Sequence, residues 1–418
     1  MMPDAINSHI AVVGAGHAGG RVVQNLRALG HTGKITLIGN EGHAPYERPP
    51  LSKAWLTDAE LPSVTLQPPE FWDEDNLKAQ DIEFVNDAVV KLDTGSRTLH
   101  LQSGRQVQCD QLVVATGGAP RNSGIPGADL PGVHVLRTID ESLGIREALR
   151  TSRGIAIIGA GIIGMEVASS ALGLGVPVTV LEGSNRILAR ALTPSLGKWL
   201  TKKFEARGVD IRTGVAVKGI ERNVENLRVV CEREGQSFEV LVDTVLIAIG
   251  VNCAPAFLEG TGMGGRAGVT VNEFCSVPSH PWIFAAGDAA HVVKMQDEGT
   301  NGVRLETWRN AENQARAVAR NLLDKNEIYE ETPWMWTDLL GHNFQIVGSL
   351  AEGAKEVMRG NIEEGPASLM LVRNGAVQGG ILVDQGRDRR FLEKLVETGK
   401  TVDVVRLADP AIALKTLV

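Results

Sequence analysis

Residues 9–38 read HIAVVGAGHAGGRVVQNLRALGHTGKITLI. A short β-branched run, His9–Val13, leads into Gly14-Ala15-Gly16-His17-Ala18-Gly19. Arg21–Leu29 then carries Val22, Val23, Leu26 and Leu29 at helical spacing, and Ile35–Ile38 is a second apolar run. The pattern predicts strand, tight turn, helix and strand. G-x-G-x-x-G alone is a weak signal. Between a strand and a helix its glycines have mechanical roles: a tight turn, approach of backbone to a pyrophosphate, and close helix-to-strand contact with the helix N-terminus facing the phosphates.

The pattern recurs. Residues 155–182 read IAIIGAGIIGMEVASSALGLGVPVTVLE, which predicts a strand at Ile155–Ile158, the turn Gly159-Ala160-Gly161-Ile162-Ile163-Gly164, a helix from Met165 to about Leu172 and a strand at Val178–Leu181. Glu182 follows Gly159 by 23 residues, near the spacing for a carboxylate on a ribose 2′-OH. Two such units imply two bound dinucleotides. Two further runs, Gln111–Val114 before Ala115-Thr116-Gly117-Gly118 and Trp282–Ala286 before Gly287-Asp288, read as strands delivering backbone or a carboxylate to a ligand at the C-terminal edge of a parallel sheet. Beyond about residue 327, Met335, Phe344–Val347, Leu369–Val372 and Ala376–Val383 suggest short antiparallel strands, followed by a helix around Phe391–Val396.

Composition narrows the function. The 47 glycines among 418 residues are about 11%, against a usual share of about 7%, and those in the turns above account for about half of the excess. A net charge of −8 argues against a general nucleic-acid binder. Cys109, Cys231, Cys253 and Cys275 lack the spacing of a metal site or a disulfide framework, which fits a reducing compartment. Met1–His9 has no apolar core of a secretory signal, so a cytoplasmic protein is expected. Gly154–Leu181 has Glu166 as its only charge but also glycines and a proline, and it reads as strand, turn, helix and strand rather than a membrane span.

Together, the two fingerprints, Ala115-Thr116-Gly117-Gly118 and Gly287-Asp288 resemble the glutathione-reductase-type flavoproteins. Pro45-Tyr46-Glu47-Arg48-Pro49-Pro50-Leu51-Ser52-Lys53 is similar to the corresponding stretch of oxygenase-coupled ferredoxin reductases, as are Glu306-Thr307-Trp308-Arg309-Asn310-Ala311 and Pro333-Trp334-Met335-Trp336-Thr337-Asp338. The resemblance implies an α/β fold: a discontinuous FAD-binding domain from 1–118 and 248–327, an NAD-binding domain at 119–247, and a small C-terminal α+β domain at 328–418. It implies electron transfer from NADH through FAD to a small [2Fe–2S] ferredoxin that feeds a mono- or dioxygenase. Disulfide reductases of this fold carry a redox-active cysteine pair where this chain has Arg48–Lys53, so electrons leave this chain without a thiol relay.

By the same resemblance Gly14, Gly16, His17, Ala18 and Gly19 cradle the FAD pyrophosphate, Ala115, Thr116 and Gly117 line it, Arg48 contacts it, and Asp288 after Gly287 holds the ribityl hydroxyls. The family has an acid where this chain has Asn40, so Asn40 or Glu41 is left to bind the adenosine ribose. Lys53 is expected beside flavin N5, paired with Glu166 near the nicotinamide, because burying either charge alone is costly. Glu306, Thr307 and Trp308 precede a helix expected over Asn310–Leu323, whose dipole favours a reduced, anionic flavin; Trp308 and Trp336 are expected near the isoalloxazine. Gly159, Gly161, Ile162, Ile163, Gly164, Arg190 and Gly250 are assigned to the nicotinamide dinucleotide. Glu182 accepts from a free ribose 2′-OH and repels a 2′-phosphate, which predicts NADH over NADPH. Arg186 reads as a pyrophosphate contact or a solvated cation. Arg309, Arg316, Arg387, Arg389 and Arg390 are candidates for a basic surface facing an acidic ferredoxin. Rubredoxin reductase, NADH oxidase and a redox-sensing binding protein like apoptosis-inducing factor remain alternatives on this scaffold.

Overall fold

Ile10–Val13 and Ile155–Ile158 are buried on both faces, which is why they read as unbroken apolar runs rather than alternating ones. In the computed structural model, which describes residues 5–294, 302–350 and 353–418, each sits inside a parallel sheet in its own compact unit. The first unit comprises Met1–Pro49, Ser63–Ala119 and Val251–Glu331; the second comprises Pro50–Pro62, Pro120–Gly250 and Thr332–Val418.

The first unit's six-stranded sheet runs in the order Ser276–Val277, His280–Ala285, Gln111–Val114, Ile10–Val13, Ile35–Gly39 and Ile82–Asn86. Ile10 pairs with Ile35 on one side and Gln111 on the other, all parallel. The helix His17–Ala28 lays Val22, Val23 and Leu26 into a core shared with Val318 and Leu322 of the helix Trp308–Leu322. That first helix begins four residues earlier than the sequence pattern indicates, inside the glycine turn.

The second unit's parallel sheet has the order Asp210–Thr213, Val178–Glu182, Ile155–Ile158, Thr244–Ile247 and Val133–His134. The helix Ile162–Gly173 connects its central strands. Also in this unit, a five-stranded antiparallel sheet runs Trp334–Leu339, His342–Gly348, Ala376–Val383, Ala367–Arg373 and Lys355–Arg359, with Leu392 and Leu395 of the helix Arg389–Thr398 in its core.

Pro50–Pro62 lies in the stretch 1–118 given to the flavin domain, yet it groups with the second unit. The cause is hydrogen bonding: Ser142 Oγ donates to Leu51 O at 2.7 Å and Ser170 Oγ to Ser52 O at 2.8 Å. Thr332–Val418 also belongs to the second unit. Among the described residues, no helix is long and apolar enough to cross a membrane.

Candidate functional site

The first glycine turn closes on contacts that no other residue permits. Gly14 has φ +110°, and a Cβ there would lie 2.3 Å from Ala115 O, so the turn and the Ala115-Thr116-Gly117 segment meet backbone to backbone. A Cβ on Gly19 would lie 1.9 Å from Gly14 O, which draws the helix onto its strand. Gly16 differs, because the nearest atom to its missing Cβ is Arg48 Nη2 at 3.5 Å. His17 and Ala18 open the helix. His17 Nε2 meets Glu312 Oε1 at 2.8 Å, and its ring centroid is 5.1 Å from that of Trp308. His17 Nδ1 is buried with no hydrogen-bond partner among the described residues. Room at Gly16, a helix N-terminus, a guanidinium and an unsatisfied imidazole nitrogen fit the pyrophosphate of a dinucleotide.

Arg48 donates to Glu41 Oε1 at 2.6 Å and to the Tyr46 hydroxyl at 2.7 Å. Burial works against its charge, but Glu41, Tyr46 and Asp288 outweigh that and hold the guanidinium above its ordinary value. Glu41 therefore steadies Arg48, a role the sequence reading missed; Asn40 is exposed. Burial raises the Glu312 carboxyl, yet His17 and Arg21 prevail and leave it below the usual carboxylate range. The Gly287 N–H donates to Gln314 Oε1 at 2.9 Å, fixing the short turn Gly287–Ala289 that carries Asp288. Thr307 Oγ1 caps the helix Trp308–Leu322 by accepting from Asn310 N at 3.1 Å, while Glu306 is held by Arg304 at 2.8 Å.

The second glycine turn repeats this geometry. Gly159 has φ +104°, with Ala248 O 2.5 Å from its would-be Cβ, and a Cβ on Gly164 would lie 2.1 Å from Gly159 O. Around a Cβ on Gly161 nothing lies within 4 Å. Ile162 and Ile163 form the first turn of the helix. Gly250 stands beyond Ala248 as Gly117 does beyond Ala115, and Arg190 Nη2 and Arg121 Nε lie 4.0 and 3.8 Å from its Cβ position. Both Glu182 oxygens accept backbone bonds, from Ala160 N at 2.6 Å and Ser184 N at 2.7 Å. Arg186 instead ties down its own loop, donating to Leu192 O at 2.8 Å and Ala189 O at 2.6 Å.

Glu166, two residues past Gly164, is only 4% exposed. Lys53 Nζ lies 2.7 Å from its Oε1, Thr337 Oγ1 donates to the same oxygen at 2.7 Å, and Ser52 Oγ donates to Oε2. Two segments distant in sequence from it, Ser52-Lys53 and Thr337, thus converge on one buried carboxylate, and two of its three donors were not foreseen. Trp336 stacks on Trp334 with centroids 5.3 Å apart, and Arg389 lies 4.5 Å from the Trp334 ring centroid.

Two of the five candidate surface arginines are engaged elsewhere. Arg309 pairs with the buried Glu331 at 2.6 Å and is withdrawn from a basic surface, while Arg389 pairs with Glu393 at 2.5 Å. Arg316, Arg387 and Arg390 are exposed. All four cysteines are free and buried, and burial pushes the thiols of Cys109 and Cys275 up to about 12 and Cys231 to about 11. A thiol so far from ionisation is a poor redox relay.

Comparison with known proteins agrees with this geometry. Residues 8–315 match the family model for pyridine nucleotide-disulphide oxidoreductases, and residues 334–418 match a reductase C-terminal domain. The chain is 34% identical over 414 residues to the benzene 1,2-dioxygenase system ferredoxin–NAD(+) reductase subunit of Pseudomonas putida, covering 98% of each. Among solved structures, a ferredoxin reductase for the CYP199A2 system from Rhodopseudomonas palustris superposes with a TM-score of 0.90 at 33% identity, covering 98% of this chain and 99% of that one. The covalent putidaredoxin reductase–putidaredoxin complex gives 0.88 at 30% identity, covering 98% and 97%. With two glycine cradles, a lysine paired to a buried glutamate and likeness along nearly its whole length, the chain belongs to the pyridine nucleotide-disulphide oxidoreductase family.

Proposed function

We propose that this chain is the ferredoxin reductase of an oxygenase system, drawing electrons from NADH through FAD and delivering them to a small [2Fe–2S] ferredoxin. The observation that carries the reading is a pair of dinucleotide cradles of one geometry in a chain whose four thiols are all buried. Flavin, when bound, supplies the change from two-electron to one-electron chemistry.

The protein's share is position and charge. Gly14, Gly16, Gly19, the helix at His17 and Arg48 hold the FAD pyrophosphate. Ala115, Thr116, Gly117 and Asp288 border the same dinucleotide, and Glu306, Thr307 and Trp308 bring a helix N-terminus to it. Gly159, Gly161, Gly164, Arg190 and Gly250 hold NADH, and Glu182 selects it over NADPH. Lys53 and Glu166 present the nicotinamide. Because Glu166 already accepts from two hydroxyls and an ammonium, its place is fixed and it acts as an anchor for the nicotinamide. Four free cysteines fit a cytoplasmic setting.

The test is NADH-dependent cytochrome c reduction by the purified yellow protein, with and without a [2Fe–2S] ferredoxin. A ferredoxin-dependent gain of about tenfold or more supports the reading. Oxygen consumption at the same rate without any carrier would replace it with an oxidase.

A further inference from the structure

Lys53 stands at the N-cap of a helix of a single turn, Ala54–Thr57. Four residues cannot hold that shape by themselves, so whatever fixes Lys53 is tertiary. Ser142 and Ser170 hold the chain just before it, through Leu51 O and Ser52 O. At the other end stands Arg146, only 6% exposed, on the helix Ile139–Thr151. It donates through Nη1 to Trp55 O at 2.7 Å and through Nη2 to Asp58 O at 2.5 Å and Ala59 O at 3.2 Å. Burying a cation against neutral carbonyls incurs a desolvation cost that an apolar side chain of similar size would avoid. What the guanidinium adds is a rigid fork matched to the orphaned, negative end of a short helix.

We infer that Arg146, assisted by Ser142 and Ser170, is a positioning residue: it fixes the one-turn helix that begins at Lys53 and so sets where the Lys53 ammonium meets the Glu166 carboxylate. The inference rests on the reading of Lys53 and Glu166 as the pair that presents the nicotinamide. Arg146 touches neither; it acts through the backbone between Lys53 and Asp58, where Leu56 N and Thr57 N bond Lys53 O at 2.9 and 3.2 Å.

Arg146→Lys keeps the charge and loses the fork. In the flavin-loaded protein it is expected to slow single-turnover flavin reduction by NADH about tenfold while leaving the KM for NADH within about twofold. Hydrogen exchange at the amides of Leu56–Asp58 should quicken, with the helix Ile162–Gly173 unchanged. Introduced into a Lys53→Met background, the same substitution should cause no further slowing, because its effect runs through Lys53. An additive slowing in that background, or unchanged exchange at Leu56–Asp58, overturns the inference. Wild-type hydride transfer in Lys53→Met alone overturns the reading of Lys53 beneath it, and the inference falls with it. If Arg146→Lys does not fold, Ser142→Ala removes one hydroxyl from the same clamp and is expected to slow the reaction about threefold with the same cancellation.

Discussion

Set side by side, the two cradles close on the same contact: a Cβ on Gly14 would lie 2.3 Å from Ala115 O, and one on Gly159 2.5 Å from Ala248 O. Past each helix the chain turns with the same bond, His31 N to Leu26 O and Val176 N to Ala171 O, both at 3.0 Å. The side chains hung on this common backbone differ. The first cradle is lined by polar pairs, Arg48 with Glu41, and Glu312 with His17 and Arg21. The second has an apolar helix, with Glu182 at the strand end, the buried Glu166 paired to Lys53, and Arg121 and Arg190 near Gly250. On the proposed function, backbone geometry marks where a dinucleotide goes, while the attached side chains separate a retained cofactor from a visiting substrate.

The sharpest way to break that comparison is to fill the turns. Gly14→Val adds a branched side chain at positive φ against backbone that cannot yield, and should cost more than about 4 kcal/mol and empty the protein of flavin. Gly159→Ala should instead keep the flavin, measured as absorbance per chain, and abolish reduction by NADH. Flavin loss in both variants would show that the cradles are not separable.

The buried pair gives the next effect. Lys53→Met leaves the Glu166 carboxylate enclosed with only Ser52 and Thr337, and denaturant unfolding should show a loss of about 3 kcal/mol. Glu166→Gln leaves a lysine whose side chain is 22% exposed, so about 1 kcal/mol is expected. A reversed order would contradict the view of Glu166 as the anchor.

Acid should distinguish the cradles as well. Burial, reinforced by Arg27, lowers His31 from 6.5 to about 4. The unfolded chain takes up that proton first, so the stabilising contribution is complete above pH 6.5 and is lost as pH falls towards 4, by up to about 2–3 kcal/mol. Val176 holds the matching place and does not titrate. Hydrogen exchange between pH 7 and 5 should therefore weaken protection around Leu26–Ile35 more than around Ala171–Val178, and His31→Val should remove the difference. A smaller effect is expected at Glu182: its replacement by Ala removes the acceptor of Ala160 N and should narrow the NADH-over-NADPH ratio of kcat/KM by about tenfold. An unchanged ratio would remove Glu182 from nucleotide choice.

The sequence shows the central strands Ile10–Val13 and Ile155–Ile158 because each is short, apolar and followed at once by glycine, whereas Ile82–Asn86 and Asp210–Thr213 mix polar with apolar residues and carry no such signal. Helix starts were less legible. His17–Gly20 has poor intrinsic propensity, and its turn is stabilised by contacts from Glu312, far along the chain. The Lys53–Glu166 pair is implied by the family resemblance, but Ser52 and Thr337 lie 114 and 171 residues from Glu166, and a hydroxyl gives no sign of where it bonds. Arg309 reads as a surface cation because its partner Glu331, 22 residues on, is brought to it only by folding. The displacement of Pro50–Pro62 into the second unit escaped notice for the same reason, since Arg146 and Ser142 act from about ninety residues away.

The central claim is that electrons enter from NADH and leave to a one-electron protein carrier without passing through a thiol. Anaerobic mixing of the flavin-loaded protein with limiting NADH and excess oxidised [2Fe–2S] ferredoxin, before and after exhaustive treatment with a thiol-alkylating reagent, tests it most directly. Two ferredoxins should be reduced per NADH at a rate the reagent does not change. Loss of ferredoxin reduction on alkylation, or NADH consumption with no ferredoxin reduced, would contradict it.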